Sequence, residues 1–150
     1  MSKAQKIMAL SAGVVVVSFF LNFFWEVLHG AYLYERQWLD ERDYIRLMLR
    51  ASAGDALYLF AIYILGGFFF KDFFWIRALS FRMCAFTISL GVLFAIGIEY
   101  KGLYLLLKWS YAKAMPTVFG LGISPLAELA VTGLATFFIV GFLARLSDGE

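Results

Sequence analysis

Four acidic residues lie inside long apolar segments of the chain, and each belongs to a different segment. They are Glu26, Asp55, Glu99 and Glu128. A carboxylate in a membrane-spanning segment costs a few kcal/mol or more, so an ionisable residue there indicates a functional site. We name these four residues the acidic cup, because they are expected to lie together.

Glu26 and His29 form a Glu-x-x-His pair on one predicted helix. Residues three apart project from the same helix face, and carboxylate-bridged di-iron bundles use this spacing. Those sites need a second such pair, and the chain has a single histidine. A divalent metal held by Glu26, His29, Asp55, Glu99 and Glu128 is therefore one alternative, but not the favoured one, and the cofactor stays open.

Acid–base or binding chemistry on a small lipophilic or cationic ligand is the favoured interpretation. Carboxyls in an apolar site can hold or deliver a proton, and aromatic faces can stabilise a cation. Glu26, Asp55 and Glu99 are the candidate catalytic groups, although an enzyme is not distinguished from a binding protein. His29 is expected to modulate the pH response. The remaining candidate ligand-binding residues are Asn22, Trp25, Tyr58, Tyr100, Trp109, Tyr111, Ser124 and Glu128.

Two further alternatives remain open. A glutamate in the first span is the arrangement of very small proton-coupled transporters. A structural or assembly subunit of a larger membrane complex would use the same polar residues to join helices. In that case Glu128 would be stabilised by the positive end of its own helix, without any ligand.

Composition requires these residues to be positioned by membrane helices. The chain has 150 residues, of which 63% are hydrophobic and 16% charged, with a mean hydropathy of +0.81. About 25% of residues are charged in a typical soluble domain. The lipid bilayer is thus the expected partner, with a homo-oligomer left open. A net charge of +2 gives no nucleic-acid footprint, and one cysteine excludes an internal disulfide.

Hydropathy predicts one all-α domain over residues 1–150, a bundle of four transmembrane helices. The spans are expected at about 7–34, 47–70, 80–107 and 124–145, since about 20 apolar residues cross a bilayer. Acids between Asp40 and Asp43 are expected to cap the second helix. Ser124 is the predicted N-cap of the fourth helix, with Pro125 at its first position.

The depth of each carboxylate follows from this arrangement. Four spans place both termini on one side, and all four acids then fall near the opposite end. At about 1.5 Å per residue they lie within roughly the outer 10 Å of one leaflet. In the first span, Ser18, Asn22, Glu26 and His29 also follow one helix face. Such polar stripes point into a bundle, because lipid cannot satisfy them.

Orientation is not decided by charge. Six of the 13 lysines and arginines fall on the side of the termini and seven on the other side. The positive-inside rule does not separate these numbers, and the usual dominance of the first helix favours cytoplasmic termini.

Several sequence blocks together resemble a family of small, uncharacterised prokaryotic four-span membrane proteins. They are 22–26 (NFFWE), 51–55 (ASAGD), Glu99, 109–116 (WSYAKAMP) and 120–133 (GLGISPLAELAVTG). The resemblance covers roughly residues 15–140 and implies a multi-pass protein of a prokaryotic inner membrane. It supplies no reaction.

The resemblance also bears on the site residues. Members of the family often carry glutamine at the position of Glu128 and lack a histidine at that of His29. The resemblance therefore implies a core of Asn22, Trp25, Glu26, Asp55 and Glu99.

Overall fold

Four long helices dominate the computed structural model, which describes residues 2–35 and 40–149. They are α1 (Lys3–Leu33), α2 (Glu41–Phe69), α3 (Phe81–Tyr100) and α4 (Ile123–Asp148). Each is long and apolar enough to cross a membrane, counting the turn that extends α3 to Leu105. The predicted all-α bundle of four helices is confirmed, and it fits a multi-pass membrane protein.

The helices form two closely packed pairs. α1 packs extensively against α2, and α3 packs extensively against α4. α1 also contacts α4, whereas the contact between α2 and α3 is smaller. Gly91 shows how tightly α3 meets α4, since a Cβ at this position would lie 2.8 Å from the backbone nitrogen of Ala130. Small residues permit such close approach of backbones in membrane bundles.

Local capping explains where three of the helices begin. Ser2 accepts a hydrogen bond from the backbone N–H of Gln5 at the start of α1, and Ser80 caps α3 in the same manner. Asp40 accepts from the backbone N–H of Asp43 at 2.7 Å, so the predicted acidic cap of the second helix is confirmed. That helix consequently starts at Glu41 rather than near residue 47.

The predicted start of the fourth helix is wrong by two residues. The N-cap is Gly122, and Ser124 and Pro125 occupy the second and third helical positions. Pro125 is tolerated there because the first-turn N–H groups have no acceptor within the helix.

The chain between α3 and α4 contains a π-helical turn and a small hairpin. The π-helical turn Lys101–Leu105 continues α3. Strand β1 (Thr117–Val118) pairs antiparallel with β2 (Leu121–Gly122) across a turn in which Phe119 and Gly120 have positive φ. The hairpin delivers the chain directly into α4, which is why Gly122, its last residue, is the N-cap.

The half of the bundle nearest the termini has an aromatic core, formed by Tyr63, Trp75 and Phe137. Trp75 begins a 3-10 turn (Trp75–Arg77), and its ring packs against those of Tyr63 and Phe137. Its indole N–H donates to the Tyr63 carbonyl at 3.1 Å. Gly66 makes room for this ring, since a Cβ there would lie 2.6 Å from it.

Candidate functional site

Three helices bring a carboxylate to one place. Glu26 from α1, Asp55 from α2 and Glu128 from α4 each offer one oxygen, and these oxygens lie within 4.8 Å of one another. Glu128 is only 5% exposed. We name these three residues the carboxylate cluster.

His29 lies between two members of this cluster. Its Nε2 is 3.8 Å from Glu26 Oε2, and its Nδ1 is 3.7 Å from Glu128 Oε2. Both separations are longer than a hydrogen bond. The imidazole is 7% exposed and stacks on the ring of Tyr34, with the ring centroids 5.1 Å apart. His29 is thus oriented by packing and faces the carboxylates with both nitrogens.

Glu99 of α3 occupies the neighbouring position and is held by two phenols. Tyr34 donates to Oε1 at 3.1 Å, and Tyr111 donates to Oε2. The Tyr111 oxygen in turn accepts the backbone N–H of Gly122 at 2.8 Å, so the hydroxyl proton is directed at Glu99. A carboxylate that accepts through both oxygens has the pattern of the ionised form.

Both phenols remain donors over the working pH range. Burial raises the pKa of Tyr34 far above its ordinary value, and the nearby Glu99 carboxylate raises it further. Burial likewise raises the pKa of Tyr111, with its hydrogen bond to Glu99 acting in the same direction. Neither hydroxyl therefore loses the proton that it donates to Glu99.

Extended backbone closes the cluster at the end away from the termini. Tyr34 and Tyr111 form an antiparallel bridge, with hydrogen bonds from Glu35 N to Ser110 O at 3.0 Å and from Ala112 N to Leu33 O at 2.9 Å. The Ser110 hydroxyl also donates to the Glu35 carboxylate at 2.8 Å. This bridge attaches the end of α1 to the loop that carries Tyr111.

A cavity of about 40 Å³ lies between these groups. Its walls are Glu26, His29, Tyr34, Asp55, Ala95, Ile98, Glu99, Pro125, Glu128 and Leu129. Among the described residues, Asp55 Oδ2, Glu128 Oε1 and His29 Nδ1 are buried without a hydrogen-bond partner. Most buried polar atoms in proteins do have partners, so these three atoms are where another group could be bound.

Asn22 supports the cluster from one turn below. Its Nδ2 donates to the Ser18 carbonyl at 2.8 Å, and its Oδ1 accepts from Thr132 of α4 at 2.9 Å. Asn22 is fully buried. It therefore joins α1 to α4 beneath Glu26 and Glu128 rather than lining the cavity.

The other predicted site residues lie at varying distances from the cavity. Trp109 packs edge-on against Tyr34 with ring centroids 6.5 Å apart, and Gly102 leaves the space that its ring fills. Trp25 is half-buried, without lining the cavity.

The remaining three predicted residues also lie outside the cavity wall. Tyr58 packs on Phe94, and Tyr100 packs on Tyr104 and is 53% exposed. Ser124 is partly buried in the first turn of α4 and does not line the cavity either.

Sequence reasoning missed one functional candidate, Tyr34. Its only sequence signal is a hydroxyl-bearing ring just past the end of the first span, five positions after His29. The pairing with Tyr111 that turns it toward Glu99 depends on a loop contact with no local signature.

Comparison with known proteins finds no matching family model, no similar curated protein and no similar solved structure. The family resemblance of the sequence blocks stays a prediction, and function must be argued from the site itself.

Proposed function

We propose that this membrane protein binds a divalent metal ion within its helix bundle, through the carboxylate cluster and His29. The supporting observation is the meeting of three carboxylate oxygens within 4.8 Å, beside an imidazole, around a small cavity. The ion would lie close to the side opposite the termini, with the Tyr34–Tyr111 bridge above it. With Glu99 added, these residues are the metal alternative that the sequence leaves open without favouring it, and the proximity of the three carboxylates supports it.

Charge balance supports a cation. Four carboxyl groups line the cavity, and none of its described wall residues is a lysine or arginine. Buried carboxylates are strongly unfavourable unless a positive charge or proton compensates them. Glu99 has two phenolic donors but no cationic partner among the hydrogen bonds and ion pairs of the described residues. A divalent ion would supply two of the missing positive charges.

The donor spacing also fits. Two donors that share an ion at about 2.1 Å lie roughly 3.0–3.4 Å apart. The separations from His29 to Glu26 and Glu128 are 3.8 and 3.7 Å. These separations involve two different nitrogens of one imidazole, and the lone pairs of those nitrogens point apart, so His29 can offer only one of them to an ion. A contraction of well under 1 Å would bring that nitrogen and its neighbouring carboxylate oxygen to ligand distance, and the ion would give the orphaned Asp55 Oδ2 a partner.

The donor types select the class of ion. Three carboxylates with one imidazole suit Mn²⁺ or Fe²⁺ better than metals that prefer thiolates. The cavity volume of about 40 Å³ holds an ion with one or two waters. Sites for drug-sized ligands are about 300–1,000 Å³. The volume therefore favours the cationic over the lipophilic ligand in the sequence-based expectation.

Mn²⁺ binding to the full-length protein in mild detergent tests the proposal. We expect one bound Mn²⁺ per chain by elemental analysis, with an electron paramagnetic resonance spectrum distinct from that of aqueous Mn²⁺. Glu26→Gln and Asp55→Asn should each abolish it, while Glu41→Gln, on the exposed first turn of α2, should not. Unchanged stoichiometry in Glu26→Gln, or an aqueous spectrum for the wild type, contradicts the proposal.

A second candidate function is proton binding, favoured by one observation. The Glu26 and Asp55 carboxyls offer oxygens within 4.8 Å of each other in a buried place, and two neighbouring carboxyls there can share one proton. The infrared carbonyl stretch of a protonated carboxyl should then disappear in Asp55→Asn and persist in chelator-treated wild type. A wild-type spectrum without that band excludes the shared proton.

A further inference from the structure

The cavity beside the carboxylate cluster has one thin side wall, between α2 and α3. Among the described wall residues, α2 supplies only Asp55, whereas each of the other three helices supplies at least two. α2 and α3 also contact each other less than the other neighbouring helices do. The Glu26 side chain is 15% exposed, against 6% for that of Glu128, so the cavity is more enclosed on the side of α4.

Observed contacts close the other sides of the bundle. Between α1 and α2, the Tyr44 hydroxyl donates to the Val27 carbonyl at 2.9 Å. Between α1 and α4, Thr132 donates to Asn22 at 2.9 Å, and α3 meets α4 closely at Gly91. The backbone bridge between the end of α1 and the following loop covers the end away from the termini. The boundary of α2 and α3 is therefore the least closed side of the cavity.

Asp55 stands at this boundary between a ring pair and a small residue. One turn toward the termini, Tyr58 of α2 packs on Phe94 of α3 with ring centroids 5.3 Å apart, and Tyr58 is 38% exposed. One turn in the other direction, the same face of α2 carries only the methyl group of Ala51. The boundary is thus open beside Asp55 rather than filled by large side chains of α2.

This opening faces the hydrocarbon of the bilayer. Asp55 precedes Phe69, the last residue of α2, by 14 positions, which is roughly 21 Å at about 1.5 Å per residue. The hydrocarbon core of a bilayer is about 30 Å thick, so Asp55 lies inside it when α2 ends at the opposite boundary. An apolar molecule can pass at this level, whereas an ion would have to leave water at a large desolvation cost.

We propose that a lipid-soluble alcohol enters through this opening, past Asp55, and places its hydroxyl in the cavity with its apolar chain left between α2 and α3. The cavity volume of about 40 Å³ admits a polar head but no chain. Glu128 Oε1 is a buried acceptor without a hydrogen-bond partner among the described residues, and a hydroxyl donates to it without adding charge. The role of this alcohol as a second ligand rests on the proposed metal site, whereas the opening depends only on helix packing.

Carboxyl modification from the two phases tests the opening. Metal-free protein in lipid nanodiscs is treated at mildly acidic pH with dicyclohexylcarbodiimide, which dissolves in the bilayer, or with a water-soluble cationic carbodiimide. The Asp55 carboxyl adds its proton and one oxygen across a C=N bond of the reagent, and an oxygen-to-nitrogen acyl shift leaves a stable N-acylurea without a leaving group. Mass spectrometry of the peptides identifies the modified residue.

The proposal requires Asp55 to react from the lipid. We expect dicyclohexylcarbodiimide to modify Asp55 at least about tenfold faster than the water-soluble reagent does. Glu41, which is exposed on the first turn of α2, is the internal control and should show the reverse preference. Equal rates at Asp55, or no modification of it by either reagent, overturn the proposal.

A pair of α2 variants tests the route. Ala51→Phe fills the helix face beside Asp55 and should slow its modification by dicyclohexylcarbodiimide at least about tenfold. Ala53→Phe adds the same ring at an exposed position of α2 and should leave the rate unchanged. Equal rates in the two variants overturn the proposal. Circular dichroism compares their helicity with that of the wild type, so that folded proteins are compared.

Competition tests the hydroxyl. Dodecanol should protect Asp55 from dicyclohexylcarbodiimide, whereas dodecyl methyl ether, which has the same chain but no donor, should not. Protection by both compounds, or by neither, overturns the proposal. All three comparisons use metal-free protein, so an absence of Mn²⁺ binding would contradict the metal site without changing their outcome.

Discussion

The two ends of the bundle interior are filled in different ways. At the end near the termini, the rings of Tyr63, Trp75 and Phe137 fill the space, and the polar atoms of the first two have backbone partners. At the other end, carboxyl groups surround a cavity, and several of their atoms lack partners within the described part of the chain. Both regions are buried, yet only the aromatic end is packed as a structural core.

The same helices therefore carry a structural core at one end and the candidate site at the other. α1, α2 and α4 contribute to both ends, so neither region is a separate domain. A close-packed interior has its rings in contact and its polar groups satisfied. The carboxylate end departs from both conditions, and such departures in a natural protein are expected where a site is located.

The largest effect should follow removal of Trp75. Trp75→Ala leaves a large void beneath Gly66 and deprives the Tyr63 carbonyl of its donor, so we expect a loss of about 3–5 kcal/mol in the free energy of unfolding. Reversible unfolding in mixed micelles measures it. The half-buried Trp25 provides the control, and Trp25→Ala should cost clearly less. Equal losses would show that the two ends do not differ as structural cores.

Removal of a carboxylate from the proposed metal site should lower metal affinity and leave stability unchanged. Glu128→Gln should weaken Mn²⁺ binding more than about 100-fold. Mutation of residues that only orient the metal ligands already lowers metal affinity by about 10–100-fold. Its free energy of unfolding without metal should not fall, because a buried carboxylate is replaced by a neutral amide of the same shape. Binding isotherms and micelle unfolding measure the two quantities. A large loss of stability with intact Mn²⁺ binding would make Glu128 structural.

Tyr111→Phe should have an intermediate effect. It removes a hydrogen bond to Glu99 and leaves the Gly122 N–H without its acceptor. We expect Mn²⁺ affinity to fall about tenfold, as for other residues that orient a site from outside it. Titration of Mn²⁺ into the variant measures the change. Tyr104→Phe, whose hydroxyl donates to Gly120 on the exposed hairpin, is the control and should leave affinity unchanged.

The hydrogen bond between Asn22 and Thr132 should have a smaller effect, measured as its contribution to the free energy of unfolding. Hydrogen bonds between transmembrane helices average about 0.6 kcal/mol in double-mutant cycles. The cycle of Asn22→Ala with Thr132→Val should give a coupling energy of that size in micelle unfolding. A coupling energy near zero would mean that α1 and α4 are held beneath the cluster by packing alone.

The smallest effect should be at Ser124, the mispredicted cap. Because Gly122 is the N-cap, Ser124→Ala should change the free energy of unfolding by less than about 0.5 kcal/mol. Ser80→Ala removes an observed cap of α3 and should cost about 1 kcal/mol. A similar cost at both positions would contradict the observed start of α4.

Helix number and the shared level of three of the carboxylates were predictable because both depend on local quantities. Hydropathy identifies a span, and the rise per residue then sets the level of Glu26, Asp55 and Glu128. The cap at Asp40 was also predictable, since its side chain bonds only three residues ahead. These features require no knowledge of which helices are neighbours.

The remainder depends on contacts distant in sequence. Ser124 resembles an N-cap locally, but the hairpin before it brings Gly122 to that position. Tyr34 reaches Glu99 only because its backbone pairs with Tyr111. Tyr100 could not be separated from Tyr111 by residue type, because aromatic residues near span ends serve both lipid interfaces and binding sites.

The backbone contact at Gly91 has a mechanical consequence. It holds α3 and α4 close together, whereas the contact between α2 and α3 is smaller. Asp55 stands on one side of this boundary and Glu128 on the other. An ion bound at the proposed site would be a removable cross-link between the two helix pairs, and its arrival or departure would change the rigidity of the bundle.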